Sequence, residues 1–238
     1  MITATNNLNT VSEVFNQDCL IALKQYPDNY FDLAIVDPPY GIAKNPSKHG
    51  GTGSGKLKNR VLNKNAKKFK EWDIKPPQNY VDELLRVSKN QIIWGGNYFE
   101  LPATRCFVIW DKQQPFKNFS AAEYAWTSFD MPSKIFSLAT TRTGETKIHP
   151  TQKPVALYDF LYINFTQKGI KVLDTHLGSA SNRISAYKNQ VDFVGYEIDT
   201  DYYTSGNKRF LDEKPNIDQI IQFENTVVVE EPKQFKLL

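Results

Sequence analysis

The 238-residue chain has few of the residues that build metal or disulfide scaffolds, with two cysteines, Cys19 and Cys106, and three scattered histidines, His49, His149 and His176. Two thiols cannot form a metal cluster or a disulfide framework, which fits a reducing cytoplasm, and the histidines show no zinc-ligand spacing; no metal is expected. Long apolar runs are missing too. The longest, such as Leu33 to Val36 and Phe107 to Trp110, are strand-sized and far from the ~18 residues of a membrane span, so no membrane partner is expected. The first residues, MITATNNLNTVSEVF, carry neither a basic nor an apolar signal region, and the expected location is the cytoplasm. With no internal repeat and no long linker, residues 1–238 read as one domain with an insertion.

Composition is that of a soluble globular protein, 40% hydrophobic and 23% charged. The net charge of +3 hides an asymmetry. Residues 41–70 contain nine Lys or Arg and no Asp or Glu, together with five glycines, whereas the remainder nets −6. Such a stretch reads either as a solvated loop or as a polyphosphate-binding arm that gains affinity by releasing counterions. Its candidate phosphate contacts are Lys44, Lys48, Lys56, Lys58 and Arg60.

Periodicity predicts strands at 11–15, 31–36, 91–94, 106–110 and 124–129, and helices at 20–25 and 80–87. From Pro154 the pattern alternates: helix 155–165, strand 170–173, helix 179–188, strand 192–196 and helix 201–211. A short helix near 217–221 and a strand at 227–229 complete the prediction. Alternation of this kind implies an α/β fold, a mostly parallel sheet with helices on both faces and ligands at the carboxyl ends of the strands.

Three predicted strand ends carry chemistry. Asp174 is followed by Thr175-His176-Leu177-Gly178-Ser179-Ala180-Ser181-Asn182, a run of small residues opening a helix, where backbone N–H groups can approach an adenosyl or phosphate ligand. Only one glycine is present there, so the alternative of an ordinary strand-to-helix turn stays open. Glu197 ends the next strand 23 residues later, near the spacing at which a carboxylate meets ribose hydroxyls. Asp37-Pro38-Pro39-Tyr40 ends the strand 31–36. There the prolines remove two N–H donors and leave the Pro38 carbonyl available, Asp37 adds a second acceptor, and Tyr40 offers a flat ring for a base. Trp72 and Asp73, and Trp94-Gly95-Gly96-Asn97, read as core packing in preference to shaping the pocket, and Lys112, Gln113, Gln114 and Arg142 as candidate base readers with no distinguishing context.

VDPPYGI at 36–42 resembles the catalytic motif of the amino-methylating DNA methyltransferases, which act on adenine N6 or cytosine N4 using S-adenosylmethionine. DTHLGSAS at 174–181 is similar to that family's cofactor loop, closer in the family to D-P-F-x-G-S-G, so that Thr175, His176 and Ala180 are departures. HPTQKP at 149–154 matches a further family motif, and the segment 16–40 resembles the family's N-terminal region, in which the Asp of the DCL run contacts the cofactor adenine. The catalytic motif precedes the cofactor loop, the order of β-class members.

The resemblance implies a Rossmann-like S-adenosylmethionine-dependent methyltransferase fold. It implies catalytic residues Asp37, Pro38, Pro39 and Tyr40. Cofactor contacts are expected from Asp18, Cys19, Asp37, Lys153, Asp174, Thr175, His176, Gly178, Ser179, Ser181, Asn182, Glu197 and Ile198. An aromatic amine is a poor nucleophile, and acceptors at Asp37 and the Pro38 carbonyl favour a pyramidal nitrogen positioned for direct displacement. The target nucleotide must first leave the duplex. By the same family resemblance, Asp at position 37 leans toward adenine in double-stranded DNA, with cytosine N4, an inactive DNA-binding subunit, and an RNA or protein amine as the competing substrates or roles. The chain leaves little room for a separate recognition domain, and a homodimer is compatible with that.

Overall fold

A computed structural model of the chain describes residues 10–42, 73–114 and 120–227. Eight strands form one sheet: β1 (Ser12–Phe15), β2 (Phe31–Val36), β3 (Ser88–Trp94), β4 (Phe107–Asp111), β5 (Ala122–Thr127), β6 (Lys134–Ser137), β7 (Lys171–Asp174) and β8 (Asp192–Tyr196). Their order across the sheet is β1-β8-β7-β2-β3-β5-β4-β6. All pairings are parallel except the two made by β5, which runs against β3 and β4. The helices are α1 (Cys19–Leu23), α2 (Gln78–Val87), α3 (Val155–Phe165), α4 (Ser181–Lys188) and α5 (Thr200–Val227).

The apolar run of β2 explains its central place. Leu33 and Ile35 face one side and pack with Leu157, Leu161 and Tyr162 of α3, while Ala34 and Val36 face the other and pack with Tyr80, Val81 and Leu84 of α2. A strand buried on both faces needs continuous rather than alternating hydrophobicity, and each of Leu33, Ile35 and Val36 contributes about 1.5–3 kcal/mol. Helices α1 and α2 contribute to one core and α3 and α4 to the other, with α5 packed on α4 through Tyr187, Phe210, Ile217 and Ile221. The winding direction reverses between β7 and β2, which is where an open α/β sheet forms its ligand crevice.

Three features differ from the sequence reading. The predicted helices 201–211 and 217–221 are one helix, α5, that passes through Pro215. Burial of Ile217 and Ile221 and the 2.6 Å bond from the Tyr187 hydroxyl to Asp218 hold the continuation in place despite the missing N–H. Val227, expected to open a strand, is the last residue of that helix, and 228–229 lie outside the described residues. Strand β6 is unpredicted because its four residues include only two apolar ones, and it pairs with β4 at the sheet edge. Among the described residues no helix is long and apolar enough to cross a membrane.

Candidate active site

Because β1, β2, β3, β7 and β8 are parallel, the residues that follow them emerge on one edge of the sheet. A cavity of about 670 Å³ opens there. It is lined by Asp37, Pro38, Pro39 and Tyr40 after β2, by Thr175, His176, Gly178 and Ser179 after β7, and by Glu197 and Ile198 after β8. Asp18 and Cys19, at the start of α1, and Lys153, just before α3, also face it. Asp174, Ser181 and Asn182 do not line it.

Those three residues are internal struts. The Asn182 side chain donates to the Ile35 carbonyl (3.1 Å) and to Asp174 (2.9 Å), tying α4 to both β2 and β7. Asp174 also accepts from the His176 N–H at 3.0 Å, and burial pushes its pKa up to about 7. The Ser181 hydroxyl accepts from Arg209, whose guanidinium also donates to the Ser179 carbonyl and to Glu145. Glu145 in turn accepts from the Val155 N–H at 2.8 Å, satisfying an orphan donor at the start of α3. Arg209 and Glu145 thereby fasten the loop after β7 to the segment carrying HPTQKP.

The loop after β7 is held by Glu197, whose two carboxylate oxygens accept from the N–H groups of Gly178 (2.8 Å) and Asp199 (2.9 Å). Burial raises its pKa. Ala180 sits at φ 60°, the left-handed region, at the position where the family motif has glycine. His176 is half-buried: its Nδ1 lies 2.9 Å from the Thr175 hydroxyl, its ring meets Tyr80 edge-on, and burial pushes its pKa down to about 4. The imidazole is therefore a neutral ring at pH 7, occupying the place of the family's aromatic residue. Asp18 caps α1 through the Leu20 N–H (2.8 Å). Burial drives the Cys19 thiol up to about 12, so it is a wall atom rather than a nucleophile.

After β2 the chemistry changes. Asp37 accepts from the Tyr40 hydroxyl at 2.6 Å on one oxygen and from the Lys153 ammonium on the other. No donor among the described residues reaches the Pro38 carbonyl. The Tyr40 ring stacks on Tyr98 (centroids 4.9 Å apart) and packs against Gly95, where an added Cβ would lie 2.2 Å from the ring. Gly95, at φ 63°, is thus required on two counts. Lys153, read from the sequence as a cofactor contact, is bonded to the carboxylate of the DPPY segment.

Sequence reasoning missed Glu123. It lies at the start of β5, and because that strand is reversed its start shares the edge where the parallel strands end. Glu123 accepts from Lys153 at 3.2 Å and from Lys112, one of the candidate base readers, which is here an ion-pair partner. Asp73, read as core, lines the cavity and accepts from the Gly41 N–H at 2.9 Å; Trp94 is core as expected. His149 lines the cavity against Tyr202, with ring centroids 4.3 Å apart. Lys44, Lys48, Lys56, Lys58, Arg60 and Trp72 lie outside the described residues.

The Type II methyltransferase M2.MboI of Moraxella bovis is 22% identical over 251 positions, spanning 85% of this chain and 88% of that protein. Among solved structures, the M1.HpyAVI–SAM complex superposes with a TM-score of 0.53 at 16% identity, covering 83% of this chain and 98% of that one. The cytosine-N4-specific PvuII DNA methyltransferase superposes at 0.57 with 14% identity, covering 93% and 95%. The sheet and its flanking helices are therefore the Rossmann-like fold of these methyltransferases. The model of the N6/N4 methyltransferase family, described as DNA methylase, matches residues 47–208, beginning just after the DPPY segment and including the HPTQKP segment, the loop after β7 and Glu197. A match over more than half its length makes this chain a member of the amino-methylating DNA methylase family.

Proposed function

We propose that the protein transfers a methyl group from S-adenosylmethionine to the N6 amine of adenine in double-stranded DNA, on a nucleotide flipped out of the helix. The observation that carries this reading is one cavity shared by the Asp37–Tyr40 segment and by Glu197 with the loop after β7. These lie two strand spacings apart, roughly 10 Å, which suits a bound cofactor on one side and a base on the other.

The residues fit the cofactor. The cavity volume falls within the usual range for small-molecule sites. Each Glu197 oxygen takes one backbone donor and keeps a lone pair for a ribose hydroxyl. Neutral His176 places an aromatic surface there without adding a cation. When bound, S-adenosylmethionine supplies an electrophilic methyl group.

Asp37 and the Pro38 carbonyl accept from the target amine and draw its lone pair out of conjugation with the ring. Tyr40, backed by Tyr98, stacks on the extruded base and returns about 1–3 kcal/mol of the few kcal/mol spent on unstacking. Asp at the head of the motif favours adenine through the family resemblance. The basic stretch 41–70 follows Tyr40 directly and is proposed to bind the phosphate backbone. Replacing lysines there is expected to flatten the salt dependence of DNA affinity by about 0.9 in log–log slope for each phosphate left without its cation, measured by titration between low and high salt.

The reading is tested by incubating the protein with S-adenosylmethionine and unmethylated DNA of mixed sequence, digesting to nucleosides and weighing the products. N6-methyladenine is the expected product. N4-methylcytosine transfers the same site to the other amine, and a folded protein that methylates neither base overturns the reading.

A further inference from the structure

Four charged side chains form a line leading into the cavity from the β4–β5 hairpin. Lys112 pairs with Glu123, Glu123 with Lys153, and Lys153 with Asp37. The Lys153 side chain is 3% exposed, whereas the carboxylates of Asp37 and Glu123 are 18% and 28% exposed and face the cavity. Beside Lys153 lies the ring of Trp94, its centroid 5.0 Å from Nζ. Burial opposes charge on Lys153, but the two carboxylates outweigh it and the ammonium is retained.

Stability alone is a weak reason for such a cluster, since a buried ion pair often contributes no more than well-packed apolar side chains of the same volume. Its position gives it a use. A carboxylate that accepts from an amine must be ionised and aimed, and a base closing the cavity removes the water that keeps it so. An ammonium bonded to Asp37 opposes that effect. Unshared, the same ammonium would also make Asp37 a poorer acceptor, and Glu123 shares it.

We infer that Lys153, shared with Glu123 and through it with Lys112, is a positioning residue that fixes the direction and the ionised state of Asp37 for recognition of the target amine. This rests on the amine-methylating reading above. The other titratable groups around Asp37 are Tyr40 in its own segment, Tyr80 on α2, Tyr158 on α3 and Asp174 at the end of β7. The three tyrosines are pushed up and keep their protons at neutral pH, while Asp174 titrates near 7.

Because Asp174, which titrates near 7, can shape a pH profile by itself, the test reads Asp37 directly. The carboxyl carbon of Asp37 is followed by NMR as a function of pH in the cofactor-free protein, its signal assigned by its disappearance in Asp37→Asn. In Lys153→Met the Asp37 midpoint is expected to rise by about one pH unit or more, and in Glu123→Gln to fall. Single-turnover methylation at saturating cofactor is expected to show its acid limb moving in the same two directions, with Lys153→Arg close to the parent. A midpoint unmoved in both variants, or one that moves while the acid limb stays fixed, overturns the inference and leaves the cluster a structural one. Should Lys153→Met fail to fold, Glu123→Gln decides alone by the same signal. Absence of any methylated base from the unaltered protein counts against the proposed function, and the NMR midpoints still report separately on the charge relay.

Discussion

The two halves of the cavity hold their carboxylates by opposite means. After β7 and β8, Asp174 and Glu197 are bonded among the described residues to uncharged N–H donors, those of His176, Asn182, Gly178 and Asp199, and burial raises both pKa values. After β2, Asp37 is bonded to an ammonium and a phenol. An amide dipole can orient a carboxylate but compensates burial only in part, whereas a full positive charge in contact keeps it ionised. The half around Glu197 therefore has carboxylates whose pKa values burial raises and which shape a loop, and the half around Asp37 has a carboxylate aimed by an ammonium and a phenol.

The strongest way to break this comparison is to remove the acceptor. Asp37→Ala is expected to lower single-turnover methylation by about 10²- to 10³-fold with a much smaller loss of S-adenosylmethionine affinity by calorimetry, because Asp37 is one of many expected cofactor contacts and Glu197 and the loop after β7 are untouched. An equal loss of affinity would show that the two halves are not separable. A smaller effect comes from the neighbours Asp174 and His176. Asp174, raised to about 7 in the fold, favours the folded state below its ordinary value of 3.8, and that contribution is lost as pH rises through 7. His176, lowered to about 4 from 6.5, favours folding above 6.5 and loses that contribution as pH falls through 4.

Between pH 4 and 6.5 the two slopes oppose each other. Asp174→Asn should leave stability rising across that window and His176→Phe should leave it falling, each by roughly 1–3 kcal/mol in urea titrations of the cofactor-free protein. Parallel behaviour of the two variants would contradict the assignment. The smallest expected effect is at Ala180, where the left-handed backbone is strained for any residue with a Cβ. Ala180→Gly relieves about 1–2 kcal/mol of strain and gives back part of it as unfolded-chain entropy, for a net gain of about 0.5–1 kcal/mol at the urea midpoint.

Much of this site was legible before the fold was known. Strand β2 announced itself because a strand buried on both faces is continuously apolar, and its end was marked by two prolines that cannot stay in a ladder. Glu197 was legible for a similar reason: it directly follows an apolar strand in an alternating α/β pattern. Glu123 was not, because its importance depends on the direction of β5, and a strand's direction leaves no trace in its residue pattern. Lys153 could be placed near the cavity by its motif but not paired, since its partner lies 116 residues away and only the juxtaposition of β2 with the start of α3 reveals it. Ser181 and Asn182 do not line the cavity because the turn that opens a helix faces outward with its first residues and turns the following ones inward.

The reversed strand has a consequence for how this site could change over evolutionary time. Lys112 and Glu123 flank the β4–β5 connection, which is closed by the bond from the Lys112 N–H to the Ala121 carbonyl. Both members of that outer ion pair therefore travel on one hairpin. Exchange of that hairpin for another replaces the distal half of the charge line as a unit, with the paired ions inherited together, while Asp37 and Lys153 stay with the rest of the sheet. Within the charge line, the hairpin meets the rest of the site at one contact, between Glu123 and Lys153.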